Sequence, residues 1–173
     1  MFRRRIDNSV IAARRLYDLL VARARAPVFH AEFLVPDTID GRFDLVALHA
    51  FLILEALKSQ GSAGAKLGSQ LASMIFAGFD DALRELGVGD FGISRRIKAM
   101  ANAFYGRLEA YGATPSEEAL TLALLRNLYR GDVARGREAA ALAHYIASAR
   151  SNLAAWSPAL GEGNMDFGPL PHI

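Results

Sequence analysis

The chain has no cysteine, which excludes disulfides, zinc–thiolate sites and thiol catalysis. Lysine is scarce, with three residues against seventeen arginines. No apolar run is long enough to span a bilayer: the longest, Leu45 to Leu57, is interrupted by His49 and Glu55. Strand signals are nearly missing, because no stretch of four or more residues alternates cleanly while rich in Val, Ile and Thr. Arg3, Arg4 and Arg5 are followed by Ile6, Asp7, Asn8 and Ser9, without the apolar core of a secretory leader. The chain therefore reads as cytoplasmic, or as matrix-located if organellar.

Catalytic patterns are equally thin. There is no HExxH, no GxSxG, no phosphate-binding glycine loop and no GxGxxG. Gly87, Gly89 and Gly92 precede a helix, but Asp90 among them would repel a phosphate. A diiron centre wants glutamates in ExxH motifs, and Glu32, Glu55, Glu109 and Glu138 have no histidine three residues on. No nucleic-acid module signature is present. The expectation is a protein without catalysis, metal or cofactor.

What is present is apolar and helix-forming. Apolar residues make up 52% of 173, much of it Ala and Leu, which favours an all-α chain. One domain of this length buries about 70% of its unfolded surface. Six main helices are expected. The first starts after Asn8 or Ser9 and runs to about Arg25 on a stripe of Val10, Tyr17, Leu20, Val21 and Ala24. Pro27 and Pro36 bracket a short piece with Phe29 and Phe33. The second helix, about Phe43 to Ser59, is apolar nearly all round, as a central helix surrounded by others would be. Gly61 to Gly64 ends it, and a third helix runs over about 65–86 with Gly87 placed as its cap. The fourth starts at Asp90 or Ser94 and ends at Gly112 on Ile93, Ile97, Met100, Phe104, Leu108 and Tyr111. Thr114, Pro115 and Glu117 suit an N-cap, first helical position and capping-box acid for a fifth helix to about Arg130. The sixth covers about 134–155. From Ser157 the composition turns to Gly, Pro and Asn, so the expected organisation is a helical domain over 1–156 and a tail over 157–173.

Three local features stand out. Pro36, Asp37, Asp40 and Gly41 form a turn in which Gly41 takes positive φ and the Asp side chains cap nearby amides, or Asp37 pairs with Arg42. His49 interrupts the most apolar helix, as a buried imidazole bonded to a polar neighbour would. Asp80, Asp81, Arg84 and Glu85 crowd one and a half helical turns, where Asp80 and Arg84 can pair. Charge is also uneven: residues 1–25 carry a net +5 and residues 26–86 a net −4, so a basic end could face an anionic surface.

Several stretches resemble the ubiquinol–cytochrome c chaperone family in collinear order. They are Val35 to Phe43 with Leu48-His49, Phe79 to Asp90, Ile97 to Met100, Ala103 to Arg107 with Ala110-Tyr111, and Leu125 to Tyr129. The pattern departs at Gly78 and Ala82, where larger or polar residues are expected. The resemblance implies an assembly chaperone for the cytochrome bc1 complex, which holds newly made cytochrome b or another subunit near the ribosome or the inner-membrane surface. The stretch with the densest match, Phe79 to Arg107, mixes surface charge with aromatics. Asp80, Arg84, Glu85, Lys98, Tyr105 and Arg107 are its candidate client-binding residues, and Gly87 and Asp90 join the two helices that carry them. The alternative is a helical binder of a lipid, a quinone or another hydrophobic small ligand.

Overall fold

The computed structural model describes residues 8–156 and 165–173. Arg3, Arg4 and Arg5, and the start of the expected tail at 157–164, lie outside the described residues. The elements are α1 (Asn8–Ala24), α2 (Val28–Ala31), α3 (Ile39–Lys58), α4 (Gly61–Glu85), α5 (Asp90–Gly112), α6 (Glu117–Asn127), a 3₁₀ turn (Val133–Arg135) and α7 (Gly136–Ala154). No strand occurs among the described residues.

The apolar helix is the centre of the bundle. Twelve residues of α3 are buried, and α1, α4, α5 and α7 all pack on it. α1 also lies along α4, and α6 along α7. The buried stripe of α1 is Ala13, Leu16, Leu20 and Ala24, rotated from the expected one so that Val10 is exposed and Tyr17 and Val21 are half-buried. The rotation brings Tyr17 over Gly78, where a Cβ would sit 2.2 Å from the phenol oxygen. A larger residue at Gly78 would displace the half-buried Tyr17 ring. α2 and the turn after it tuck Phe29 and Phe33 into the core. The last described segment, 165–173, adds Met165 and Phe167 to the same core, and Arg23 of α1 holds it by a 2.6 Å hydrogen bond to the Gly168 carbonyl.

Helix ends differ from expectation in instructive ways. α3 begins at Ile39 rather than Phe43, because the Thr38 hydroxyl, not an Asp carboxylate, accepts from the Gly41 amide at 3.2 Å. Asp37 instead pairs with Arg42 at 2.7 Å, which holds its carboxyl below the ordinary range. Gly41 does not have positive φ. A Cβ there would lie 1.9 Å from the Pro36 carbonyl oxygen, so the requirement is close approach of backbone to backbone. Gly41→Ala is therefore expected to cost about 2 kcal/mol in a denaturant melt, the range for overpacking against chain that can shift only partly.

α4 starts at Gly61, so the 61–64 stretch opens a helix instead of only closing one. α6 is capped by Ser116, whose hydroxyl accepts from the Ala119 amide at 3.2 Å, rather than by Thr114. It stops at Asn127, short of Arg130. The α4–α5 corner closes with Gly87 at φ +78, its amide bonded to the Arg84 carbonyl and the Val88 amide to the Leu83 carbonyl. This is the Schellman arrangement, in which a glycine takes the left-handed position.

Candidate functional site

One charged residue of the central helix is buried. Asp44, near the start of α3, is 1% exposed, and each carboxylate oxygen meets one guanidinium at 2.7 Å. One is Arg107 of α5 and the other is Arg130, in the turn after α6. Burial pushes the Asp44 carboxyl up from its ordinary value, and the two arginines pull it back. Arg130 reaches its partner from a left-handed backbone, φ +56, a conformation that non-glycine residues rarely adopt. Arg107 also lies over the Phe43 ring at 5.1 Å. The clamp thus joins three elements and sets two cations side by side.

A second carboxylate ends the same face of α3. Glu55 receives Arg150 of α7 through two hydrogen bonds of 2.7 and 3.2 Å. Arg150 also donates to the Tyr111 carbonyl at the end of α5, at 3.1 Å, and stacks over Phe51. His49 faces the other way, fully buried. Its Nδ1–H donates to the Leu45 carbonyl at 2.8 Å and its Nε2 accepts from the Tyr145 hydroxyl at 3.1 Å. Burial lowers its pKa to about 4, so the ring is neutral. No group of three or more His, Asp or Glu positioned for a metal occurs among the described residues.

The six candidate client-binding residues do not form one patch. Arg84 bridges Asp80 at 2.7 Å and Asp90 at 2.5 Å, bracing the α4–α5 corner, and Glu85 is exposed beside it. Lys98 is exposed midway along α5. Tyr105 is exposed on α5 next to Phe76, with rings 6.3 Å apart. Arg107 turns inward onto Asp44. Asp40, expected as a cap, faces Arg96 across 3.5 Å.

Two concavities flank α5. A basin of about 730 Å³ lies between the start of α3, α5 and the Arg130 turn, with Arg95, Arg96, Arg107 and Arg130 around a floor of Phe43 and Met100. A groove of about 830 Å³ lies between α3, α4 and α5. Leu54, Leu57, Phe76 and Leu108 line it, with Gly64 and Gly68 in its wall and Tyr105 at its edge. The reading of the sequence missed Asp44, Arg130 and the basin. The signal available was an acid between Phe43 and Leu45 in a helix otherwise ready for burial.

The family model described as ubiquinol-cytochrome C chaperone matches residues 31–165. The crystal structure of the Cbp3 homolog from Brucella abortus superposes with a TM-score of 0.81 at 39% identity, covering 95% of this chain and 94% of that one. Ubiquinol-cytochrome-c reductase complex assembly factor 1 of Xenopus laevis is 25% identical over 138 residues, 79% of this chain and 69% of the relative. The human protein of that name is 24% identical over 138 residues, and the matched part is 46% of its length. The chain thus spans about half of the human relative.

Proposed function

The chain belongs to the ubiquinol-cytochrome C chaperone family, and on that footing we propose that it holds a newly made subunit of the cytochrome bc1 complex, cytochrome b foremost, during assembly. The family is one of assembly chaperones rather than enzymes. The observation that carries the reading is the open apolar groove between α3, α4 and α5. A chaperone for a membrane subunit must offer apolar surface to a helix before other helices do, and an amphipathic or apolar helix lies naturally in such a groove. Ala65 and Ala72 on its α4 side leave room for close approach, as small residues do between membrane helices, while Gly64 and Gly68 are buried against Leu54 and Leu57. No helix among the described residues is itself long and apolar enough to cross a membrane.

The exposed side of the α4–α5 hairpin, with Glu85, Lys98 and Tyr105, extends this contact in our reading. The test is affinity purification from cells that make the bc1 complex, with cytochrome b detected in the eluate. Cytochrome b is expected with the wild-type protein, and its absence, with other bc1 subunits equally absent, would refute the proposal. Within the groove, Ala72→Trp would occupy part of its half-exposed α4 side and is expected to lower capture severalfold. The groove also suits a lipid or quinone, and organic extraction of purified protein followed by mass spectrometry would show such an occupant.

A further inference from the structure

We propose that the arginine basin is a second contact point for that client, one that receives an acidic segment flanked by apolar residues. The proposal rests on the chaperone reading above. It starts from the charge balance of the basin. Arg95, Arg96, Arg107 and Arg130 line it, whereas its carboxylates are Asp40 on the rim and Asp44 beneath. Asp44 is almost wholly buried, so its charge is spent on holding Arg107 and Arg130 in place, and it is shielded from a partner. Arg130 keeps a half-exposed guanidinium, at 53%, although its backbone is held in the left-handed region. Backbone strain of that kind persists where surrounding contacts fix it, here the Asp44 pair, and the result is a cation aimed at the basin before any partner arrives.

The apolar half of the surface lies next to it. Phe91, at the start of α5, is 83% exposed with Arg95 stacked on its ring at 5.7 Å, and Leu86 at the end of α4 is 60% exposed. Core packing asks for neither. Exposed aromatics beside arginines are the residue types that anchor protein interfaces, and planar guanidiniums match carboxylates in a two-pronged geometry. An anionic bilayer fits less well. The same corner carries Asp81, Glu85 and Asp90, which a sheet of negative headgroups would repel, and the arginines lie in a concavity that a flat surface does not enter. A polypeptide segment can place its acids in the basin and its apolar side chains on Phe91 and Leu86.

The experiment is capture of cytochrome b by the full chain, compared among wild type, Arg95→Glu/Arg96→Glu, Phe91→Ser and the control Arg126→Glu. Arg95, Arg96, Phe91 and Arg126 are all exposed, so melting temperatures should stay within a few degrees of wild type. The double reversal is expected to lower capture about tenfold and Phe91→Ser severalfold, with the control unchanged, and wild-type capture should weaken as salt is raised. Flotation of each protein with phosphatidylglycerol vesicles runs in parallel. Undiminished capture by the double reversal overturns the basin and leaves the chaperone reading standing. Vesicle binding by wild type that the double reversal abolishes also overturns it, by making the basin a lipid site. Failure of wild type to capture cytochrome b or any other bc1 subunit removes both.

Discussion

Asp44→Ala is expected to lower the free energy of unfolding by about 3 kcal/mol, enough to shift the urea midpoint far below that of any surface variant. Arg107 has a side chain only 14% exposed, and without the carboxylate its charge is left beside Arg130 in a poorly hydrated place. Removing one partner of a buried ion pair leaves an uncompensated charge, whereas replacing the whole group with apolar side chains is often neutral. The companion experiment uses that asymmetry. Asp44→Leu with Arg107→Met should recover much of the loss, although Arg130, half in solvent, can simply swing outward. If Asp44→Ala unfolds at the wild-type midpoint, the clamp contributes nothing to stability and its geometry is retained for docking alone. Because the clamp also orients two of the four basin arginines, a mildly destabilised Asp44→Asn should lose cytochrome b capture by more than its lost stability explains.

This clamp also marks where the sequence stops being legible. The all-α class, the central place of the α3 segment and the α4–α5 corner follow from periodicity and from Gly87, because these are local consequences of which positions are apolar and which backbone needs left-handed φ. The phase of α1 was not legible. Val10, Tyr17 and Val21 are larger than Ala13, yet Ala13 is wholly buried while Val10 is exposed and Tyr17 lies over Gly78, because α1 packs against both α3 and α4. Helix ends were readable only to the nearest few residues, since Thr114 and Ser116 are both good caps and tertiary packing chose the second. The candidate site was split by the fold for a related reason. Asp80, Arg84 and Arg107 satisfy the same charge criteria as Glu85 and Lys98, and only the packing of α5 against α3 decides that Arg107 turns inward. Asp44 escaped because its two partners are 63 and 86 residues away in sequence, a pairing that no local spacing encodes.

Lowering the pH from about 6.5 to about 4 is expected to destabilise the fold through His49 by about 3 kcal/mol at most, with the effect levelling off below that window. The sign follows from proton uptake. In the unfolded chain the imidazole titrates at its ordinary value of 6.5, while burial in the folded core holds its pKa at about 4. Between those two values the unfolded state binds a proton that the folded state does not, so stability falls as pH falls, by up to about 1.4 kcal/mol per unit. Above 6.5 both states are neutral at this residue and it contributes no slope. The ring is held neutral by position: Nδ1–H is committed to the Leu45 carbonyl, and Nε2 accepts from Tyr145, whose hydroxyl burial pushes up to about 12 and so keeps as a donor. Phe29 and Phe167 pack edge-on against the imidazole at 5.2 and 5.4 Å, so α2, α7 and the 165–173 segment all meet at this group. Protonation would strand a charge among them and should release the C-terminal segment first, read as lost hydrogen-exchange protection there. Other groups also change charge as pH falls, so the measurement is the difference between wild type and His49→Gln in urea melts across the window. The variant should be less stable at neutral pH and show a shallower decline. Parallel declines in the two proteins, or an NMR titration of His49 near 6.5, would show that the imidazole is hydrated in the folded state and would rule out this linkage.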